Sequence, residues 1–202
     1  MDARTLETDP QQGSLLPVQD LFRVLLTKNR ETFHHSERVE RLAREWGAYM
    51  RSRHRWADVS VEELVWCARC HDLGKIGIQN RILDKVGPLD ALEKEIMKQH
   101  SELGFELFSS SSGNSAVAEG ILFHHERWDG QGYPAGLSGE SIPILARMVA
   151  IVDAFDAMTS ARSYQKARTP REALQEIRLN AGRQFCPSLV EDFTQFLNAQ
   201  NS

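Results

Sequence analysis

The chain is short of cysteine, carries no excess of positive charge and has no long apolar run. Cys67, Cys70 and Cys186 are its only cysteines in 202 residues. So small and odd a number excludes a disulfide scaffold and points to reduced thiols. Twenty-four basic residues against 28 acidic ones give a net charge of −4, which leaves no basic footprint for polymeric nucleic acid. No segment approaches the ~18 apolar residues that span a bilayer. The stretch Met1 to Gly13 is polar and lacks the apolar centre of a secretion signal. Together these absences predict a cytoplasmic protein with no membrane span. Also missing are the period-two alternation of strands and any internal repeat. The remainder, 41% hydrophobic and 26% charged, is ordinary for a globular protein with a full core and one domain. The mild negative charge does not exclude an anionic substrate, because bound divalent cations reverse the local sign within a cleft.

Helical periodicity accounts for most of the chain. Residues 1–13 read as a flexible tail and 14–202 as one all-α domain. Leu15, Val18, Leu21, Phe22, Leu25 and Leu26 mark a helix over Ser14 to Lys28, and a second runs from Glu31 to Arg53. Ser60 with Glu63 forms a capping-box signature for a helix that ends at His71 and Asp72. Asp90 with Glu93 starts another, predicted to run through His100 to Phe108, with the serines from Ser109 onward as a loop tip. Ala116 to His125 and the segment after Pro143 are apolar and helical. Thr169-Pro170 opens a helix ended by Gly182, and Pro187 to Leu197 is the last.

Polar residues of unusual cost punctuate this pattern. Residues 124 to 134 read His124-His125-Glu126-Arg127-Trp128-Asp129-Gly130-Gln131-Gly132-Tyr133-Pro134. Neutral imidazoles and carboxylates are the usual ligands of catalytic transition metals, and glycines beside them mark backbone in close approach. His71 is followed by Asp72, with Lys75 three residues on. Glu31 and His35 lie one helical turn apart. Asp153 interrupts an apolar run, where a carboxylate needs a partner or a metal. Taken singly, each histidine is more often a surface or satisfied core residue. Jointly, five histidines and three acids predict convergence from five helices on one centre. Cys67-Ala68-Arg69-Cys70-His71 also fits covalent haem attachment. That reading needs export and leaves Asp72 and Lys75 idle, so two small packed residues are preferred.

The ordered set His35-Ser36-Glu37-Arg38-Val39, His71-Asp72-Leu73-Gly74-Lys75, Lys98-Gln99-His100, His124 to Pro134 and Asp153 to Arg162 resembles the HD-GYP domain. This is a bacterial signalling branch of the HD phosphohydrolases, and the resemblance covers roughly residues 15 to 197. It implies a single helical bundle of the HD superfamily with a C-terminal HD-GYP extension. It further implies a phosphodiesterase that opens cyclic di-GMP to pGpG and, in some members, GMP. By the same resemblance, His71, Asp72, His100, His124, His125 and Asp153 hold a cluster of two or three ions, usually iron or manganese. Glu31 and His35 fit the three-metal pattern, with His34 as the competing choice to His35. A phosphodiester resists attack through its own negative charge and its poor leaving group, and a multinuclear site counters both. Asp72, with two oxygens, is the expected bridge. Lys75 and Arg162 are expected on substrate phosphate. Where the family often has a basic residue this chain has Gln165, with Lys166 next. Gly132 and Tyr133 are expected to shape the guanine pocket or a surface for other signalling proteins. Trp128 is expected as a lid or as packing. Glu126 and Asp129 either orient the histidines or stabilise the turn. Two rivals stay open: a cyclic dinucleotide receptor or protein-interaction module without turnover, and a hydrolase of a relative such as cyclic GMP-AMP. A homodimer is left open as well.

Overall fold

Amphipathic segments separated by glycine, proline and capping residues leave the chain one way to bury its apolar stripes, which is helix against helix. The computed structural model describes residues 16–160 and 167–200. Among the described residues ten α-helices follow one another: α1 Val18–Lys28, α2 Arg30–Ser52, α3 Val61–Cys70, α4 Asn80–Leu83, α5 Ala91–Lys98, α6 His100–Ser111, α7 Ser115–Phe123, α8 Ile144–Thr159, α9 Pro170–Leu179 and α10 Pro187–Gln200. Short 3-10 turns cover Leu73–Gly77 and Gly139–Ser141. No strand is formed among the described residues, so the all-α expectation holds.

α2 and α8 form the axis. α2 packs along α3 and α8, and α7 lies against α3, α6 and α8. The core between them includes Leu25, Val39, Trp46, Leu64, Ile121, Met148, Val152 and Phe193. α9 and α10 close the far side of α8. Thr169 and Glu172 complete a capping box at α9, and Asp90 and Glu93 another at α5. At α3 only half the expected box forms. Ser60 accepts from the Glu63 amide, while the Glu63 carboxylate accepts from the Asn114 side chain.

Several helix ends shift by a few residues from the sequence pattern, and two differences stand out. The helix predicted across His100 is split at Gln99, whose φ of −62° and ψ of −16° barely depart from helical values. α5 therefore ends before His100, and α6 begins on it. The serine run continues α6 as far as Ser111, because Ser110 and Ser111 hydroxyls donate to the Glu106 and Leu107 carbonyls one turn back. Close packing has a glycine at its tightest point. A Cβ on Gly74 would lie 1.9 Å from the His100 carbonyl oxygen, so the Leu73–Gly77 turn can press on α6 only with glycine there.

Candidate metal centre

The helix ends converge their imidazoles on one buried point. His35 lies in the second turn of α2, and His71 caps α3 with Asp72 next. His100 opens α6, His124 caps α7 with His125 behind it, and Asp153 sits in α8. Three of the imidazoles are held alike. Nδ1 of His71, His100 and His124 donates to the carbonyl three residues earlier, Ala68, Met97 and Ile121, at 2.7, 2.6 and 2.6 Å. That bond selects the tautomer with a free Nε2 lone pair and turns it inward.

Two triads result. His100, His124 and His125 form one, and His35, His71 and Asp153 the other, with the ligand atoms of each within 4.8 Å of one another. In the first, His100 Nε2 lies 3.3 Å from His124 Nε2 and 3.1 Å from His125 Nε2. Bonds of ~2.1 Å to one ion place neighbouring nitrogens at roughly this spacing. Asp72 stands between the triads. Its Oδ1 is 3.5 Å from His100 Nε2, and its Oδ2 is 3.4 Å from His71 Nε2 and 3.8 Å from His35 Nε2. One carboxylate thus presents one oxygen to each triad.

The chemistry of the donor set fits metal ions. His71 Nε2 is buried and has no hydrogen-bond partner, an arrangement that is costly unless a cation takes the lone pair. Burial holds His100 below the ordinary histidine range and His124 well below it. Burial and the neighbouring His100 push His125 down to about 3. All three are therefore neutral ligands at physiological pH. Asp72 behaves oppositely. Burial works against its charge, but Lys75, His71 and His100 hold its carboxyl well below the usual range. Burial also opposes charge on His35, yet hydrogen bonds to Asp153 and Asp156 raise it to about 9. Its Nε2 is 2.9 Å from Asp153 Oδ1, and its Nδ1 is 2.6 Å from Asp156 Oδ2. An ion held at this triad would take the place of the Nε2 proton.

Asp156 and Arg38 are the residues that sequence reasoning quoted without a role. Asp156 fixes the ring of His35 and is itself gripped by Arg38 through Nε and NH2 at 2.8 and 2.9 Å. The signal was present in outline, since Asp156 follows Asp153 by one helical turn. Of the two candidates on α2, His35 is buried at the centre, whereas His34 is exposed and pairs with Glu37. Glu31 lies exposed one turn before His35 and belongs to neither triad. Lys75 Nζ donates to Asp72 Oδ2 at 2.7 Å, so its charge offsets that of the buried carboxylate. Arg162 and Lys166, with Gln165, lie outside the described residues.

The glycine loop shields this centre. Tyr133 stacks on His125 with ring centroids 4.8 Å apart, and the Tyr133 amide donates to the His125 carbonyl. A Cβ on Gly132 would fall within 2.6 Å of the Arg127 nitrogen, Glu126 Cα and the His125 oxygen, so no other residue fits. Glu126 is buried and accepts from the Ala135 amide, and Asp129 accepts from Arg127 and the Gln131 amide. Both therefore stabilise the turn. Trp128 packs against the core, and its backbone bonds Gln184 and Gly139. Cys67 and Cys70 are fully buried, with Cys67 Sγ against Gly120, which leaves no room for haem.

A family model described as HD domain matches residues 21–189. The chain belongs to the HD-domain family. Its motifs, the Gly132-Tyr133-Pro134 loop included, place it in the HD-GYP branch. This HD domain is 44% identical over 174 residues to a cyclic di-GMP phosphodiesterase of Thermotoga maritima, covering 82% of this chain and 45% of the relative. It is 37% identical over 192 residues to a 3′3′-cGAMP-specific phosphodiesterase of Vibrio cholerae, covering 92% of this chain and 35% of the relative. The chain thus spans less than half the length of either curated relative. In fold, it matches the HD domain of the L. monocytogenes phosphodiesterase PgpH with a TM-score of 0.63 at 15% identity, over 90% of this chain and 96% of that one. Bd1817 of Bdellovibrio bacteriovorus matches with a TM-score of 0.62 at 19% identity, over 90% and 57%. No helix of the described residues is long and apolar enough to cross a membrane.

Proposed function

We propose that this HD domain is a metal-dependent phosphodiesterase that hydrolyses cyclic di-GMP to pGpG or GMP. One observation carries the reading: the carboxylate of Asp72 offers an oxygen to each of two imidazole-rich triads. His100, His124 and His125 would hold one ion, His35, His71 and Asp153 another, and Asp72 both. Mixed nitrogen and oxygen donors without thiolate favour iron or manganese. Glu31, one turn before His35, is the candidate ligand of a third. Bound ions supply Lewis acidity toward the phosphate and a nucleophile at neutral pH.

The chain's own residues prepare that site. Backbone carbonyls hold three imidazoles in the ligating tautomer, and Asp156 does the same for His35. Lys75 balances the buried charge of Asp72. Asp153, with 22% of its side chain exposed beside nearly buried neighbours, marks the open side through which substrate enters. Arg162 and Lys166 are proposed on substrate phosphate, with Tyr133 at the guanine side.

A second substrate, cyclic GMP-AMP, is favoured by the likeness to the Vibrio cholerae enzyme, since the ligand set does not read the bases. A receptor without turnover is less well supported, because the side chains of each triad lie close enough together to hold an ion. Protein loaded with Mn²⁺ or Fe²⁺ without oxygen, then given both cyclic dinucleotides, tests the reading. Linear product is expected from at least one, and none from Asp72→Ala. Cleavage unimpaired in Asp72→Ala, or absent from the loaded wild type, would overturn it.

A further inference from the structure

Resting on the reading just given, we propose that Lys98 binds substrate: it holds the second, uncleaved phosphate of a cyclic dinucleotide at the mouth of the metal centre. Such a substrate carries two phosphodiesters in one ring. Bound ions neutralise the one under attack. The other enters with its charge intact, against a protein of net charge −4. A cation at the rim would meet that charge, and among the described residues Lys75 and Lys98, both beside the centre, differ in what they have free. Lys75 is tied to the buried Asp72 at 2.7 Å and is only 23% exposed. Lys98 is 42% exposed, and its partner is Glu95 at 2.6 Å, itself 67% exposed. An ion pair so open to water contributes little, so a phosphate displaces Glu95 at small cost.

Position and orientation support the assignment. Lys98 is the last residue of α5, between Met97, whose carbonyl holds His100, and the break that aims His100 inward. Its Nζ lies over the Tyr133 ring, 5.5 Å from the centroid, and that ring is the one stacked on His125. Tyr133 thus links the ammonium to a metal-ligating imidazole. The contact steadies a flexible side chain through the negative face of the ring. An ammonium has three donors, and Glu95 uses one. A compact point charge on a four-carbon stem suits a phosphate whose place shifts between substrate and product.

Kinetics of Lys98→Met and Lys98→Arg in the metal-loaded chain test this against two substrates. One is the cyclic dinucleotide that the wild type cleaves, and the other is bis(p-nitrophenyl) phosphate, a diester with a single phosphate. Lys98→Met is expected to lose about tenfold in kcat/KM on the cyclic dinucleotide, mostly through KM, because one charged hydrogen bond is removed. The single-phosphate diester is expected to change less than about twofold on the same reasoning. Lys98→Arg is expected to recover most of the loss. Equal falls on both substrates would assign Lys98 to the support of Tyr133 and His125 and overturn the proposal, as would no fall on either. Wild type that cleaves only the single-phosphate diester would instead strike the cyclic dinucleotide reading, and this proposal with it.

Discussion

At the scale of the residue, the centre depends on which atoms each side chain has left to offer. Asp72 needs both oxygens. Asp72→Asn replaces one with an amide nitrogen that has no lone pair to give, while shape and volume stay. Metal analysis is expected to show loss of at least one ion, and turnover is expected to fall by at least ~100-fold, since the bridge serves both ions. Retention of the full metal content would contradict the bridging role. Asp156 acts one step back. Asp156→Asn still accepts from His35 but without charge, so metal affinity is expected to weaken by roughly 10- to 100-fold. Competition with a chelator reads that change directly. The ligands themselves were legible, because adjacent histidines and acids inside apolar runs have few other uses. The partners behind them were legible at most in outline. Asp156 reads as one more polar residue on α8, and the carbonyls of Ala68, Met97 and Ile121 carry no residue signature at all.

At the scale of the element, backbone contacts set where the ligands point. The Leu73–Gly77 turn follows Asp72 directly and lies against α6 at the His100 carbonyl. In Gly74→Ala the added methyl meets backbone, which cannot swing aside as a side chain can. A loss of about 1–3 kcal/mol or more is expected from overpacking, read as a lower midpoint in thermal unfolding. Metal content is expected to fall with it, because the turn follows His71 and Asp72 directly and α6 opens on His100. Gly87→Ala is the contrast, for a Cβ there meets nothing within 4 Å, although its φ of +114° strains any side chain. Its metal content is therefore expected to stay full whatever it loses in stability. Most of the helices were readable from periodicity and caps. The split at Gln99 was not, because its near-helical dihedrals leave the apolar pattern almost continuous across it. At the break His100 Nδ1 donates to the Met97 carbonyl three residues back, while Nε2 faces Asp72. The serine run misled for a local reason, since serine hydroxyls that bond one turn back can extend a helix as well as end one.

At the scale of the whole molecule, five helices and one turn meet at a point crowded with titratable groups. Without metal, two titrations oppose each other. His125 is depressed to about 3, so it stays neutral when folded while the unfolded chain takes up a proton near 6.5. The stability it contributes is present above about 6.5 and is lost as pH falls from there toward 3. His124 and His100, also depressed by burial, add in the same direction. His35 is raised to about 9, so its contribution is complete below about 6.5 and is lost as pH rises through 9. The metal-free protein is therefore expected to be most stable near pH 6.5 and to lose thermal midpoint on both sides. Metal changes that profile, because ligands engaged with an ion no longer take up protons and His35 surrenders its own. An ion present at about 100 times its dissociation constant adds roughly 2.7 kcal/mol. For a chain of this length, that corresponds to roughly 5–10 °C in the unfolding midpoint. Thermal unfolding at pH 5, 6.5 and 8, with Mn²⁺ and with chelator, is expected to give the largest metal-dependent rise at pH 8. There the contribution of His35 to the metal-free fold is already partly lost, while competition from protons is least. A rise that is the same at all three values would mean that the imidazoles and the ion do not share one site.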